Sequence, residues 1–228
     1  MMYRKAIVVF LSLFPLFALF PQDSSGMVGV ESSYSPDYAN IVLIREQSRM
    51  PDRNVKMAAL SLIEEMLEGD NGKDEEIFSA LEFLSLEGVV NKERLNGVIV
   101  NSYPSVRLRA AKSLGSFGGN EAHRVLMQML RAETETIVLT ETVRALAKIG
   151  IAPEDEAVLN NMMRRFDVSY PDNALALAFL DAYQGVGEQR RIGLAAWEII
   201  LHISQSKYHS LVRKKAQELL RLQAKPVR

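Results

Sequence analysis

Three histidines, His123, His202 and His209, supply all the imidazole chemistry of this 228-residue chain, which has no cysteine. Without thiols there can be no disulfide, thiolate zinc site, cysteine nucleophile or lipidated N-terminal cysteine. Glu198 and His202 stand four apart, on one face of any helix, a spacing that can hold a metal ion. The other nearby imidazole, His209, falls on another helix, so the ligand set is incomplete and a solvated or core-rim histidine is expected. Carboxylate pairs such as Glu64–Glu65 and Glu75–Glu76 would need burial to shift their pKa into a catalytic range, and they read as solvent-facing. No Gly-x-Ser-x-Gly elbow, P-loop or dinucleotide fingerprint occurs; Gly185-Val186-Gly187 reads as the close of a helix. Trp197, the single tryptophan, and the methionines at 127, 129, 162 and 163 read as core fillers. The sequence therefore points to no catalytic residue, no metal and no cofactor.

The elements that position these residues follow from composition and punctuation. An apolar fraction of 48% with 24% charged residues is globular composition and excludes disorder as the dominant state. The chain carries 27 basic and 28 acidic residues, a net of −1, which disfavours a dedicated binder of nucleic acid. That total hides a polarity. Residues 64–87 carry a local −8 and residues 207–228 a local +6, a separation that suits salt-sensitive self-association or the steering of a partner. At the N-terminus, Arg4 and Lys5 precede an uncharged run over residues 6–20. A helix of that length rises about 22 Å, short of the roughly 30 Å hydrocarbon core of a bilayer. With Pro21 and small polar residues behind it, the segment reads as a secretory signal peptide, residues 1–26, with Ser24 and Gly26 before the cleavage site and Met27 as the new N-terminus. The expected location is the periplasm or the exterior, with no membrane span after cleavage. Residues 27–37, rich in Gly and Ser, read as a flexible lead-in to one helical domain over residues 38–228.

Within that domain, Pro51, Pro104, Pro153 and Pro171 precede stretches of helical periodicity, and glycines at 69, 88, 118, 150 and 187 fall where such stretches end. The clearest helix covers residues 121–131, where Ala122, Val125, Leu126, Met129 and Leu130 form one apolar stripe. Residues 89–100 carry β-branched clusters that would suit a short hairpin, but a helix is the favoured expectation there.

Repetition fixes the architecture. Val106, Ala110, Leu114, Phe117 and Gly118 recur 32 positions on as Val138, Thr142, Leu146, Ile149 and Gly150. A further 37 on stand Leu175, Phe179, Tyr183, Val186 and Gly187, and another 37 brings Val212, Ala216 and Leu220. Val125, Leu126, Met129 and Leu130 recur as Val158, Leu159, Met162 and Met163. Each unit is a helix pair whose apolar face is too large for water and too small to close on itself, so the units must stack. Small residues at 110, 111 and 145 allow close helix approach. The expected fold is all-α, an α-solenoid of stacked antiparallel helix pairs with roughly ten helices.

The run Val106-Arg107-Leu108-Arg109-Ala110-Ala111-Lys112-Ser113-Leu114-Gly115 resembles the HEAT repeat, in the HEAT-like version named after phycobilisome lyases. Val55-Lys56-Met57-Ala58-Ala59 and Val212-Arg213-Lys214-Lys215-Ala216 resemble the same opening. The chain departs from the pattern at Leu139, where the family has Arg, and in the unit at 175. Val55 stands 51 residues before Val106, which is not one period, so the phase before residue 90 stays open. The resemblance implies a HEAT-like superhelix acting as a protein-binding scaffold or adaptor, here one of the bacterial cell envelope. It also implies a concave face lined by the second helices, which would offer Arg124, Gln128, Arg131, Asn160, Arg164 and Arg165 to a protein partner. HEAT-like repeats also include di-iron oxygenases built on His-Glu pairs; the residues after the three histidines are Arg124, Ile203 and Ser210, so that site is not expected. Chromophore-handling lyases and nucleic-acid-binding members are the alternative functions, the second opposed by export and by the acidic N-terminal half.

Overall fold

Asp52, Asp74 and Asp172 each accept hydrogen bonds from backbone N–H groups two or three residues on, and a helix starts behind each. In the computed structural model, which describes residues 36–69, 73–166 and 171–224, these helices are α2 (Arg53–Glu68), α3 (Glu75–Leu86) and α8 (Asn173–Gln189). Proline opens two more: α1 (Pro36–Arg49) begins two residues inside the expected lead-in, and α4 (Pro104–Phe117) begins at Pro104. The remaining helices are α5 (Gly119–Ala132), α6 (Thr136–Ile149), α7 (Glu156–Phe166), α9 (Leu194–Gln205) and α10 (Ser210–Ala224). A 3-10 turn at Pro153–Asp155 leads into α7. Gly69, Gly118 and Gly150 close helices as expected, but Gly187 lies inside α8. The expected signal peptide lies outside the described residues. Among the described residues no helix is long and apolar enough to cross a membrane.

Residues 89–100 are not helical. Arg94–Leu95 (β1) and Val98–Ile99 (β2) pair antiparallel, Arg94 opposite Ile99 and Leu95 opposite Val98. Asn96 and Gly97 between them both have positive φ, 50° and 83°, the requirement of a tight two-residue hairpin turn. The β-branched residues on either side suggested competing elements, but an Asn-Gly pair is the local signal that decides. Asn101 closes the base of this insertion: its amide accepts from Glu93 N–H at 2.9 Å and donates to the Asn91 carbonyl at 2.8 Å.

The helices follow a neighbour rule. The even helices α2, α4, α6, α8 and α10 touch one another in that order, and the odd helices α1, α3, α5, α7 and α9 do the same. Contacts between the two rows join α1 to α2, α3 to α4, α4 to α5, α5 to α6, α7 to α8 and α9 to α10. One apolar core runs between the rows from Ile44 on α1 to Leu219 on α10. α4 and α6 approach most tightly at Gly115, where a Cβ would stand 2.9 Å from the Ala145 Cα. α2 takes the place before α4, and the link from α3 to α4 spans residues 87–103, against 133–135 between α5 and α6. The hairpin lies within the 51 residues that separate Val55 from Val106.

Candidate functional site

Two of the three motif cations, Lys56 and Arg107, are buried and structural, whereas Arg213 is exposed. Lys56 on α2 holds the Glu87 carboxylate at 2.9 Å and donates to the Ser48 carbonyl at 3.0 Å, with both charged side chains nearly inaccessible. Arg107, one unit on, grips Glu133 through two nitrogens at 2.6 and 3.2 Å. Each acid directly follows an odd helix, α3 or α5. Glu133 also accepts the N–H groups of Thr134 and Glu135, and so organises the turn into α6. Burial pushes the Glu87 carboxyl above the ordinary carboxylate range, and Lys56 pulls it part of the way back. The second oxygen of Glu87 has no hydrogen-bond partner among the described residues.

The residues expected on the partner-binding face divide. Arg124 is exposed on α5 and reaches Glu82 of α3 at 3.0 Å. Arg164 is exposed on α7 and reaches Glu198 of α9 at 3.3 Å. Arg131 donates to the carbonyl of Met127 in its own helix. Arg165 donates to the Glu133 carbonyl at 3.0 Å and lies over the Phe166 ring. Gln128 is half-buried on α5. Asn160 does not belong to that face: it is 5% exposed, and its side-chain oxygen accepts the Tyr183 hydroxyl at 2.9 Å. The phenol of Tyr183, enclosed between α7 and α8, requires that acceptor, and burial raises its pKa.

The remaining candidates fall out as follows. His123 meets Asp155 at 2.7 Å, and Asp155 also accepts the N–H of Ala152. His202 pairs with Ser206 and Glu198 with Arg164, and among the described residues no group of three potential ligands converges on a metal position. Glu64 is half-buried, contrary to the solvent-facing expectation, because Arg109 clamps it with two bonds of 2.7 and 2.6 Å. That second charge holds the Arg109 guanidinium pKa above its ordinary value. Trp197 is half-buried, less enclosed than expected, whereas the four methionines are buried.

Four surface depressions lie along the even row, opposite the face the sequence pointed to. The widest, about 520 Å³, crosses α2, α4 and α6 and is lined by Met57, Pro104, Leu108 and Ile137, with Glu64, Arg109 and Lys112 at its margin. A neighbour of about 440 Å³ shares Leu108 and Ile137 and continues past Thr140, Glu141 and Arg144 to Asp172 and Ala174 at the start of α8. Ile137 is 61% exposed at the second position of α6. No family model, curated protein or solved structure matches this chain. The site must be read from its own geometry: an open aliphatic path across consecutive helices, bordered by charges of both signs. The sequence signal was Ile137 itself, an apolar residue off the buried stripe of its helix.

Proposed function

We propose that this chain is an α-solenoid, a HEAT-like superhelix of stacked helix pairs, that serves as a non-enzymatic protein-binding scaffold of the bacterial cell envelope. The neighbour rule of even and odd helices supports the stacking, because among the described residues the main contacts of each pair are with the pairs before and after it. The observation that carries the binding role is the path from Met57 over Leu108 to Ile137. It exposes aliphatic side chains on three consecutive even helices, where water gains from their removal. Its mixed margin of Arg109, Lys112 and Glu64 suits a polypeptide better than a phosphate backbone, and its shallowness suits a surface contact better than an enclosed chromophore. The basic n-region and short apolar run of residues 1–26 support export. The even row is thus the first binding surface, and the odd-row arginines serve mainly to tie their own helices together.

A photo-crosslinking residue placed at Ile137 in the native envelope captures a partner, and Leu108→Asp abolishes that capture. The same probe at Arg124 captures markedly less. Equal or stronger capture from Arg124, or adducts at Ile137 that survive Leu108→Asp, would move the binding surface away from the even row. Protease protection in intact cells with loss of protection in spheroplasts tests the envelope location.

A further inference from the structure

The two rows begin with α1 and α2 and close with α9 and α10, and among the described residues no helix covers the far side of any of these four. On α9, Glu198 turns toward α7 through Arg164. Successive helical residues are about 100° apart, so Trp197 and Leu201 project to the side away from α7, with Leu194 next to them. Leu194 is 83% and Leu201 40% exposed. On α10, Lys215 turns to Asp181 of α8, which leaves Arg213, Gln217 and Arg221 exposed in a line on another side.

The opposite end has the complementary make-up. Arg49 of α1 lies over the Phe83 ring of α3, Leu43 stands 46% exposed on a different side of α1, and Met50, just past its end, is 51% exposed. Glu64 of α2 turns to Arg109 of α4, while Ala58, Leu62 and Glu65 look away from it. Both ends therefore combine aliphatic side chains with charge. Among the described residues the acidic positions of 64–87 border one and the basic positions of 207–224 the other.

We propose that a second copy of this chain docks head to tail at this open end, its α1 beside α9 and its α2 beside α10. The contact deepens the scaffold reading by naming one partner, and it rests on the stacking assumed there. Lys148 of α6 meets Ser116 of α4 near the same height, so even helices run side by side in one direction. Continuing that row brings Arg221 of one copy level with Glu65 of the next. Trp197 and Leu201 then meet Leu43 and Met50, burying aliphatic surface that terminal repeats ordinarily replace with polar residues. The charges orient the encounter and make it salt-dependent, since exposed pairs are screened at high ionic strength. A contact between two different surfaces does not close on itself, so it builds chains of copies.

The absence of cysteine makes the test clean. Leu43→Cys and Leu194→Cys each place one thiol, at the first and the last odd helix. With a short bis-maleimide, a mixture of the two full-length variants cross-links to dimers, each alone does not, and the double variant gives a ladder. Raising salt to 1 M suppresses the ladder. Arg221→Glu weakens cross-linking about fivefold, the worth of one exposed ion pair, and Glu65→Arg in the other copy restores it. Dimers from either variant alone would overturn the head-to-tail geometry. Folded protein that fails to cross-link in the mixture at low salt would overturn self-association, while the Ile137 capture experiment would still decide the scaffold reading separately.

Discussion

The first two even-row units and the later ones solve the same packing problem with different chemistry. At the position after the first motif residue, α2 carries Lys56 and α4 carries Arg107, each buried against an acid that follows an odd helix. At the same position α6 carries Leu139 and α8 carries Ala176, both wholly buried. In the later part a buried pair is neutral, as Tyr183 donates to Asn160. A buried ion pair need not add net stability over a well-packed apolar pair, but losing one partner strands the other charge. The early units should therefore be brittle to single substitutions and tolerant of paired ones. The later units should lose less from either.

The largest test of that contrast is Arg107→Ala, which strands Glu133 and is expected to cost about 3–5 kcal/mol in urea unfolding. The double variant Arg107→Met with Glu133→Met should recover most of that loss. A single variant that costs no more than a surface change would break the comparison. Tyr183→Phe strands only a neutral acceptor on Asn160, and its expected cost is about 1–2 kcal/mol by the same measurement. The third effect is smaller and depends on pH. Burial raises the Glu87 carboxyl pKa, so just above the ordinary carboxylate range the folded chain holds more protons than the unfolded one. Stability from this group is full below that range and is lost as pH rises through the raised value. The advantage of the wild type over Glu87→Gln should accordingly shrink as pH rises through that window, as read from melting temperatures across the pH series. A growing advantage would mean that Lys56 dominates the carboxylate. Tyr183 has the same sign at the alkaline end: stability from its neutral phenol is full below the ordinary phenol value and lost above it.

The sequence was most legible where the physics is local and repeated. Val106, Ala110 and Leu114 recur because each even helix presents the same stripe to the same core, and all three are buried. The three aspartate caps are local as well, but the sequence reading named only the prolines and glycines around them. Asn160 shows where legibility stops. Its place on α7 resembles a surface position until Tyr183, 23 residues later, brings a hydroxyl to it. Glu87 and Glu133 were equally hidden, since nothing local marks an acid after a helix as the partner of a cation 31 or 26 residues earlier. The aliphatic path on the even row was half legible. Ile137 lies off its stripe, a signal the sequence reading passed over, and only the contacts of α2, α4 and α6 align it with Met57 and Leu108.

The hairpin between α3 and α4 bears on how such an array changes over time. Asn101 joins the start and the end of the insertion, so the tip around Asn96 and Gly97 hangs outside the path that links one unit to the next. Closing a longer flexible loop costs little extra, about 0.6 kcal/mol for each doubling of its length. Residues can be gained or lost at this tip while α4 keeps its seat against α2 and α3. Chain length and the packing of α4 are thereby uncoupled at one place, which marks that tip as the natural port for a tag, a label or an acquired binding segment.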